Sequence, residues 1–338
     1  MDWDPKRSSK KVRRPTPPRR RHWNGEDDAR FERIRRPPAI HVAARTGDAR
    51  EASVVGVVAG GCVVQLGSER IPAIGAVTDV VVGDVVRIVP GPTGKVVVRD
   101  RLPRRTVLSR PHPDNPRLEH AIAANVDRAV IVVSTRSPPL RTGLVDRFLV
   151  AIERGGVEPV LCVNKVDLVE ASERVDVAAR LSPYVALGMP VVSCSASTCE
   201  GLESLRREIS GRTVVFVGHS GVGKSSLTNA LAPDAHRDVG AVRAFDGKGR
   251  HTSTSSALVT LEDGTRLVDT PGIRSFGLWR IDRGILRSYF PEFASAPACR
   301  FRDCSHIAEP DCGVRRAVES GEISPPRYQA FLRLQSEE

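Results

Sequence analysis

Three stretches of different pattern predict a multidomain protein: a β-barrel, then an α/β layer on a parallel sheet, then a small, mostly helical tail. Residues 46–110 carry Val/Ile runs punctuated by glycine. Residues 111–277 alternate strand and helix patterns around a glycine-rich loop, and residues 278–338 hold clustered cysteines with little β pattern. The 338 residues fit two or three domains. A composition of 40% hydrophobic and 27% charged residues supports buried cores and excludes collagen-like, wholly disordered and disulfide-scaffold chains. No apolar stretch approaches the ~20 residues of a membrane span. The charged, proline-rich N-terminus has no apolar segment of the secretory type. Seven cysteines, an odd number spread through a large chain, fit a reducing cytoplasm and metal binding rather than disulfides.

Residues 1–45 read as a disordered basic extension. They hold 14 Lys/Arg against 6 Asp/Glu, most of the chain's net charge of +11. The run KKVRRPTPPRRRH (residues 10–22) combines like charges with prolines and cannot pack. Such a segment suits a polyanion, or it serves only to solubilise.

In residues 46–110 the runs ASVVGVV, GCVVQLG, AVTDVVVGDVVRIV and KVVVRD read as strands, because β-branched residues bounded by turn residues favour extended chain. About five short strands in sixty residues suggest a small barrel, with the OB-fold as leading candidate. Residues 50–110 contain no Phe, Tyr or Trp, so base stacking is unavailable. Nucleic acid would meet loops and arginines such as Arg101, Arg104 and Arg105; alternatively the barrel is a spacer.

From about residue 120 the pattern changes. AVIVVST (129–135), PVLCVNK, PVVSCSA, TVVFVG, ALVTL and RLVDT read as strands. VDRFLVAIERGG (145–156), ASERVDVAARLSPY, LESLRREI and KSSLTNAL read as helices. Strands and helices in alternation predict a parallel sheet covered on both faces.

The loop GHSGVGKS (218–225) fits G-x-x-x-x-G-K-[ST] and lies between a strand and a helix, the context that gives the motif meaning. Gly218, Ser220, Gly221, Val222, Gly223 and Ser226 frame a loop whose backbone N–H groups can turn toward phosphates, aided by the positive end of the following helix. Lys224 is expected on the β/γ-phosphates and Ser225 on Mg²⁺. The chain has 44 Arg but only 7 Lys, yet Lys224 and Lys165 both stand in nucleotide motifs, where a compact ammonium is needed. VDTPG (268–272) follows a strand; Asp269 would reach the Mg²⁺ shell through water and the Gly272 N–H would sense a γ-phosphate.

NKVD (164–167) ends another strand. The Asp167 carboxylate can accept two hydrogen bonds from guanine N1–H and its 2-amino group, whereas adenine would leave it unpaired. Asn164 would brace the loop and Lys165 would lie over the base. SAS (195–197) ends the next strand; Ser195 and Ala196 belong to it, and the Ala196 N–H can meet the guanine oxygen. Together the motifs indicate a guanine nucleotide, GTP or GDP, and NKVD argues against an ATP-using kinase.

Their order is unusual. NKVD and SAS precede the P-loop and DTPG, the reverse of a conventional small GTPase, as if one sheet had been cut and rejoined. In this the chain resembles the circularly permuted GTPases of the RsgA type, over about residues 46–338. The resemblance implies an OB-fold, a circularly permuted P-loop GTPase domain and a C-terminal zinc domain. It also implies a GTP hydrolase that binds the small ribosomal subunit and its rRNA and assists late maturation, with hydrolysis stimulated by the subunit and coupled to release. The alternative is a GTP-regulated RNA-binding scaffold with negligible turnover. A cytoplasmic monomer with no membrane partner is expected. Because the chain leaves the sheet just after DTPG, the tail is attached to a switch and could report nucleotide state.

In the tail, Cys299, Cys304, His306 and Cys312 give C-x4-C-x-H-x5-C, a closed tetrahedral set for one structural Zn²⁺. With little apolar material nearby, the metal is expected to supply much of the tail's folding energy, on the order of 10 kcal/mol. Arg300, Arg302, Arg315 and Arg316 could meet RNA phosphates or simply solvate a face. Cys194 and Cys199 form either a redox pair or two free thiols, and Cys62 and Cys162 read as core.

Where Ras-like enzymes carry a water-orienting glutamine after DxxG, this chain has Ile273, which predicts slow hydrolysis by the isolated protein. GKGRHTSTSS (247–256) occupies the place of switch I. Thr252, or alternatively Thr254, is the candidate ligand for Mg²⁺ and the γ-phosphate. The resemblance suggests His251 as the catalytic, water-positioning group once a partner orders the loop. His219, in the P-loop, receives no role.

Overall fold

The computed structural model describes residues 49–58, 60–75, 79–91, 96–112, 115, 118–233, 256–269 and 283–337. Five strands open the chain: β1 (Arg50–Val58), β2 (Gly61–Leu66), β3 (Glu69–Gly75), β4 (Val85–Pro90) and β5 (Val96–Arg101). β1, β2 and β3 pair in antiparallel succession, β3 runs parallel to β5, β5 pairs with β4, and β4 returns to β1. The ring closes in the order 1-2-3-5-4, the OB arrangement. Alternate residues face inward, as the strand period of two requires. Ala52, Val54, Cys62, Val64, Ala73, Val86, Ile88 and Val98 fill the interior, all small or aliphatic.

Among the described residues the run AVTDVVVGDVVRIV is a strand in its second half, Val85–Pro90, while the described part of its first half turns a corner. Asp84 makes that corner: its carboxylate accepts the Val81 N–H (2.8 Å), its own carbonyl accepts the Val54 N–H (2.8 Å), and Arg104 clamps it at 2.8 and 2.9 Å. The strand that the sequence pattern does not announce is β3, whose sequence ERIPAIG has a proline and no β-branched run.

A hairpin of β6 (Val107–Pro111) and β7 (Glu119–Ala124) links the barrel to the α/β part. There β8 (Arg128–Ser134), α1 (Thr142–Arg154), β9 (Glu158–Asn164), α2 (Ala171–Ala186), β10 (Val191–Ser193), α3 (Leu202–Ile209), β11 (Thr213–Val217) and α4 (Lys224–Leu231) alternate. β12 (Ser256–Thr260) and β13 (Arg266–Asp269) follow. The sheet order is β10-β9-β8-β11-β13-β12, with the first five strands parallel. Contrary to the all-parallel expectation, β12 is antiparallel to β13, because the turn Leu261–Thr265, with Asp263-Gly264 inside it, is a hairpin and not a crossover.

Both faces of this sheet are covered. Val130 and Val132 of β8 pack toward Leu202, Leu205, Ile209 and Leu227 of α3 and α4. Ile131 and Val133 pack the other way, against Val145, Phe148, Leu149 and Ile152, the helical i, i+3, i+4, i+7 stripe of α1. β12 also pairs with β1 (Gly56 with Ala257, Val57 with Ser256), so barrel and α/β sheet share one hydrogen-bonded ladder.

The tail comprises α5 (Arg283–Leu286), two 3₁₀ turns (Arg287–Tyr289 and Pro291–Ser295), α6 (Gly313–Glu319) and α7 (Pro325–Ser336). It is richer in apolar contacts than the sequence suggested. Leu286, Phe290, Phe293, Val314, Ile323, Tyr328 and Phe331 form a core joined by Val150 of α1. The three phenylalanine rings meet at 5.0–5.4 Å between centroids. These residues stand singly in the sequence, so no periodic run announces them. Arg327 locks the tail to α1: its buried guanidinium reaches Asp146 and Glu292, each at 2.8 Å, and lies 4.6 Å from the Phe290 ring centre.

Candidate nucleotide site and metal cluster

The C-terminal ends of β8, β9, β10, β11 and β13 lie along one edge of the sheet, where α/β folds bind ligands. β11 ends at Val217, and the next eight residues, 218–225, wrap into the start of α4. Gly218 and Gly223 make the wrap possible. Both have positive φ (146° and 97°), and a Cβ on them would lie 2.3 Å from the Val132 carbonyl oxygen and 2.2 Å from Asn164 Nδ2. The N-cap of α4 is Gly223 and no side chain caps the helix, which leaves its first N–H groups for an anion. Lys224 Nζ donates to the carbonyls of Gly218 and His219 at 2.7 Å each, folded over the loop it would share with phosphates. Ser220, Gly221, Ser225 and Ser226 are exposed, and Val222 is buried beneath them. The His219 ring hydrogen-bonds the Ser220 carbonyl at 2.8 Å.

Asn164 ties this loop to two others. Its Nδ2 donates to the Val222 carbonyl at 2.9 Å and its Oδ1 accepts the Ala196 N–H at 3.1 Å. Lys165 adopts the left-handed conformation (φ 64°), and its ammonium is held by the carbonyls of Gly221 (2.7 Å) and Ser137. The exposed Asp167 carboxylate accepts the Ser197 hydroxyl at 3.2 Å. Hydrogen bonds from the hydroxyls of Ser195 and Ser197 hold its pKa below the usual value, so it remains an acceptor at neutral pH. Ser195 is buried and its hydroxyl oxygen accepts the Ser197 and Thr198 N–H groups, which sets the SAS turn. Asp269 ends β13 and is exposed beside β11. His251, Thr252, Thr254, Gly272 and Ile273 lie outside the described residues.

Cys162 and Cys194 are both buried, with their sulfurs 3.2 Å apart, while Cys199 is exposed. Cys194 therefore adjoins Cys162 rather than serving as a solvent-facing partner of Cys199. Arg104, offered above as a nucleic-acid contact, has a side chain only 13% exposed and engaged by Asp84.

Cys299, Cys304, His306 and Cys312 converge, with all donor atoms within 4.8 Å of one another. His306 Nδ1 stands 3.5 Å from both the Cys299 and Cys312 sulfurs, which are 4.0 Å apart. A tetrahedral zinc with ~2.3 Å Zn–S and ~2.0 Å Zn–N bonds requires roughly 3.8 and 3.5 Å for those separations, so the donor set fits. Two residues that the sequence did not single out shape it. Glu309 accepts the N–H groups of Ser305 (2.7 Å), Ile307 and Ala308 (3.2 Å each), and the Tyr328 hydroxyl donates to the His306 carbonyl at 2.7 Å. No helix among the described residues is long and apolar enough to cross a membrane.

A family model described as RsgA GTPase matches residues 101–279. The Pseudomonas aeruginosa protein named small ribosomal subunit biogenesis GTPase RsgA is 43% identical over 252 residues, 74% of each chain. The crystal structure of YjeQ from Thermotoga maritima superposes with a TM-score of 0.71 at 33% identity, covering 85% of this chain and 97% of that one. YloQ, described as a circularly permuted GTPase, gives 0.67 at 29% identity, covering 87% and 97%.

Proposed function

The chain belongs to the RsgA family of GTPases, and on that premise we propose that it binds the small ribosomal subunit, assists its late maturation, and couples GTP hydrolysis to release. Lys224 neutralises the β/γ-phosphates above the open amides of α4. Asp167 and the Ala196 N–H read the guanine, Asn164 braces their loops and Lys165 covers the base. Mg²⁺ arriving with GTP would be held by Ser225 and Thr252, with Asp269 reaching its shell through water, and would offset phosphate charge; the Gly272 N–H answers to the γ-phosphate. His251 orients the attacking water once the subunit orders its loop. Zinc, held by the three cysteines and His306, is structural because the four ligands leave no open position. The protein works as a cytoplasmic monomer that grips rRNA mainly through phosphates.

The observation that carries the nucleotide reading is the Asn164 amide, which links the P-loop to the SAS turn through both of its ends. Such a bridge joins phosphate and base pockets into one site. The test is GTP turnover by the purified protein, alone and with small subunits, large subunits or bare RNA, with ATP as control. Stimulation by small subunits alone, lost in His251→Ala, is expected. Equal slow rates in every mixture would overturn the ribosomal reading and favour a scaffold without useful turnover.

A further inference from the structure

The turn after β8, residues 135–138, makes three hydrogen bonds with the base-recognition loop. The Thr135 hydroxyl donates to the Lys165 carbonyl at 2.6 Å, and the Thr135 N–H donates to the Asn164 carbonyl at 3.2 Å. Two residues later, the Ser137 carbonyl accepts from the Lys165 ammonium. Lys165 is thus gripped at its backbone and at the end of its side chain by one short turn. That grip matters because Lys165 is not glycine yet sits at φ 64°, a conformation that L-residues avoid unless their surroundings impose it. The residue opens the 3₁₀ turn Val166–Leu168, whose middle residue is Asp167. The conformation of Lys165 therefore aims the carboxylate.

The surroundings of Thr135 leave its hydroxyl one clear task. The residue is buried, and it shares the wall of a cavity of about 120 Å³ that is mostly aliphatic, with Val163, Val166, Leu181 and Val185, and that also includes Arg174 and Ser193. The hydroxyl is turned to the Lys165 carbonyl. A valine has nearly the same shape and would keep the wall intact while removing the hydrogen bond.

We infer that Thr135 is a positioning residue for guanine recognition: its hydroxyl holds Lys165 in the left-handed conformation that presents Asp167 to the base. The inference rests on the guanine reading of NKVD proposed above. Its test uses the full chain and GDP with a fluorophore on the ribose. Thr135→Val is expected to release GDP about tenfold faster than the wild type, about 1.4 kcal/mol. It is also expected to prefer GDP over IDP less strongly, since IDP lacks the 2-amino group that a well-placed Asp167 would engage. Thr135→Ser, which keeps the hydroxyl, releases GDP at the wild-type rate, and because the lost hydrogen bond lowers the melting temperature of Thr135→Val somewhat, the GDP-over-IDP preference is the deciding readout. An unchanged release rate in Thr135→Val overturns the inference. So does a serine variant as leaky as the valine one, or a fall in melting temperature with GDP and IDP weakened in equal proportion. If the wild type itself binds no GDP, the guanine reading fails first, and the two failures are distinguishable.

Discussion

Asn164 and Gly223 are an interlocked pair. The Asn164 amide can bridge the P-loop and the SAS turn only because Gly223 has no side chain; a Cβ there would lie 2.2 Å from Nδ2. Gly223→Ala is therefore expected to weaken GDP binding at least about tenfold, since both the bridge and the φ of 97° are lost together. Calorimetric titration with GDP checks this, and wild-type affinity would show that the bridge is dispensable. At the metal cluster, hydrogen bonds from the Ser305 hydroxyl and backbone hold the Glu309 pKa down to about 2. A carboxyl whose folded pKa lies below its unfolded value of ~4.3 contributes stability that is complete above about pH 5 and lost as pH falls toward 2. The melting-temperature gap between wild type and Glu309→Gln should accordingly stay constant above about pH 5 and narrow as pH falls toward 2; a gap that does not narrow refutes the assignment. The nucleotide motifs were legible because each is a short contiguous string whose chemistry dictates its spacing. Thr135 was not, because its partner carbonyl lies in another loop that only the folded chain brings near; Glu309 was not, because a carboxylate closing a local turn onto neighbouring N–H groups follows no motif in the sequence.

At the scale of elements, periodicity identified most strands and helices, and LESLRREI and KSSLTNAL coincide with α3 and α4. It failed where hydrophobicity and hydrogen bonding disagree. Val80–Val82 has the composition of a strand, yet Asp84 draws the backbone into a corner, while the polar-looking ERIPAIG pairs on both sides as β3. A buried charge two residues past an apolar run outweighs β-propensity, which is a weak and context-dependent preference. The corner makes a quantitative contrast possible. Arg104 is the ion partner of the fully buried Asp84, whereas Arg105, 67% exposed at its side chain, pairs with Asp127 near the surface. Removing Arg104 strands a buried carboxylate, so Arg104→Ala is expected to cost about 3–5 kcal/mol. Arg105→Ala should cost less than about 1 kcal/mol. Denaturant titration followed at the first unfolding transition separates the two, and equal effects would mean that Asp84 is not held by Arg104.

Across the whole molecule, the α/β sheet is the hub to which the other parts attach. The barrel joins it through β1 and β12, and the tail joins it through α1. The sequence suggested that the tail, following DTPG, could move with the switch. The structure makes that motion costly, because Arg327 is buried between Asp146 of α1 and Glu292 of the tail, with the Tyr184 hydroxyl also donating to Asp146 at 2.9 Å. Undocking would expose an aromatic core and break a desolvated ion network. Burial already raises the Asp146 pKa above its usual value, even though Arg327 pulls it down. In Arg327→Leu the main counterweight is gone, and only the half-exposed Arg333 (3.3 Å) and the Tyr184 hydroxyl remain to offset the burial that disfavours the charged form of Asp146. A raised folded pKa means that protonation stabilises the folded state, so stability is lost as pH rises through it. The variant should therefore melt well below the wild type at pH 8, by an amount corresponding to about 3–5 kcal/mol. It should approach the wild type as pH falls and Asp146 takes up a proton. At pH 8 a protease should release the tail from the variant and spare it in the wild type. A melting gap that does not change with pH would mean that the network is not what docks the tail, and the phenylalanine core alone would then have to hold it.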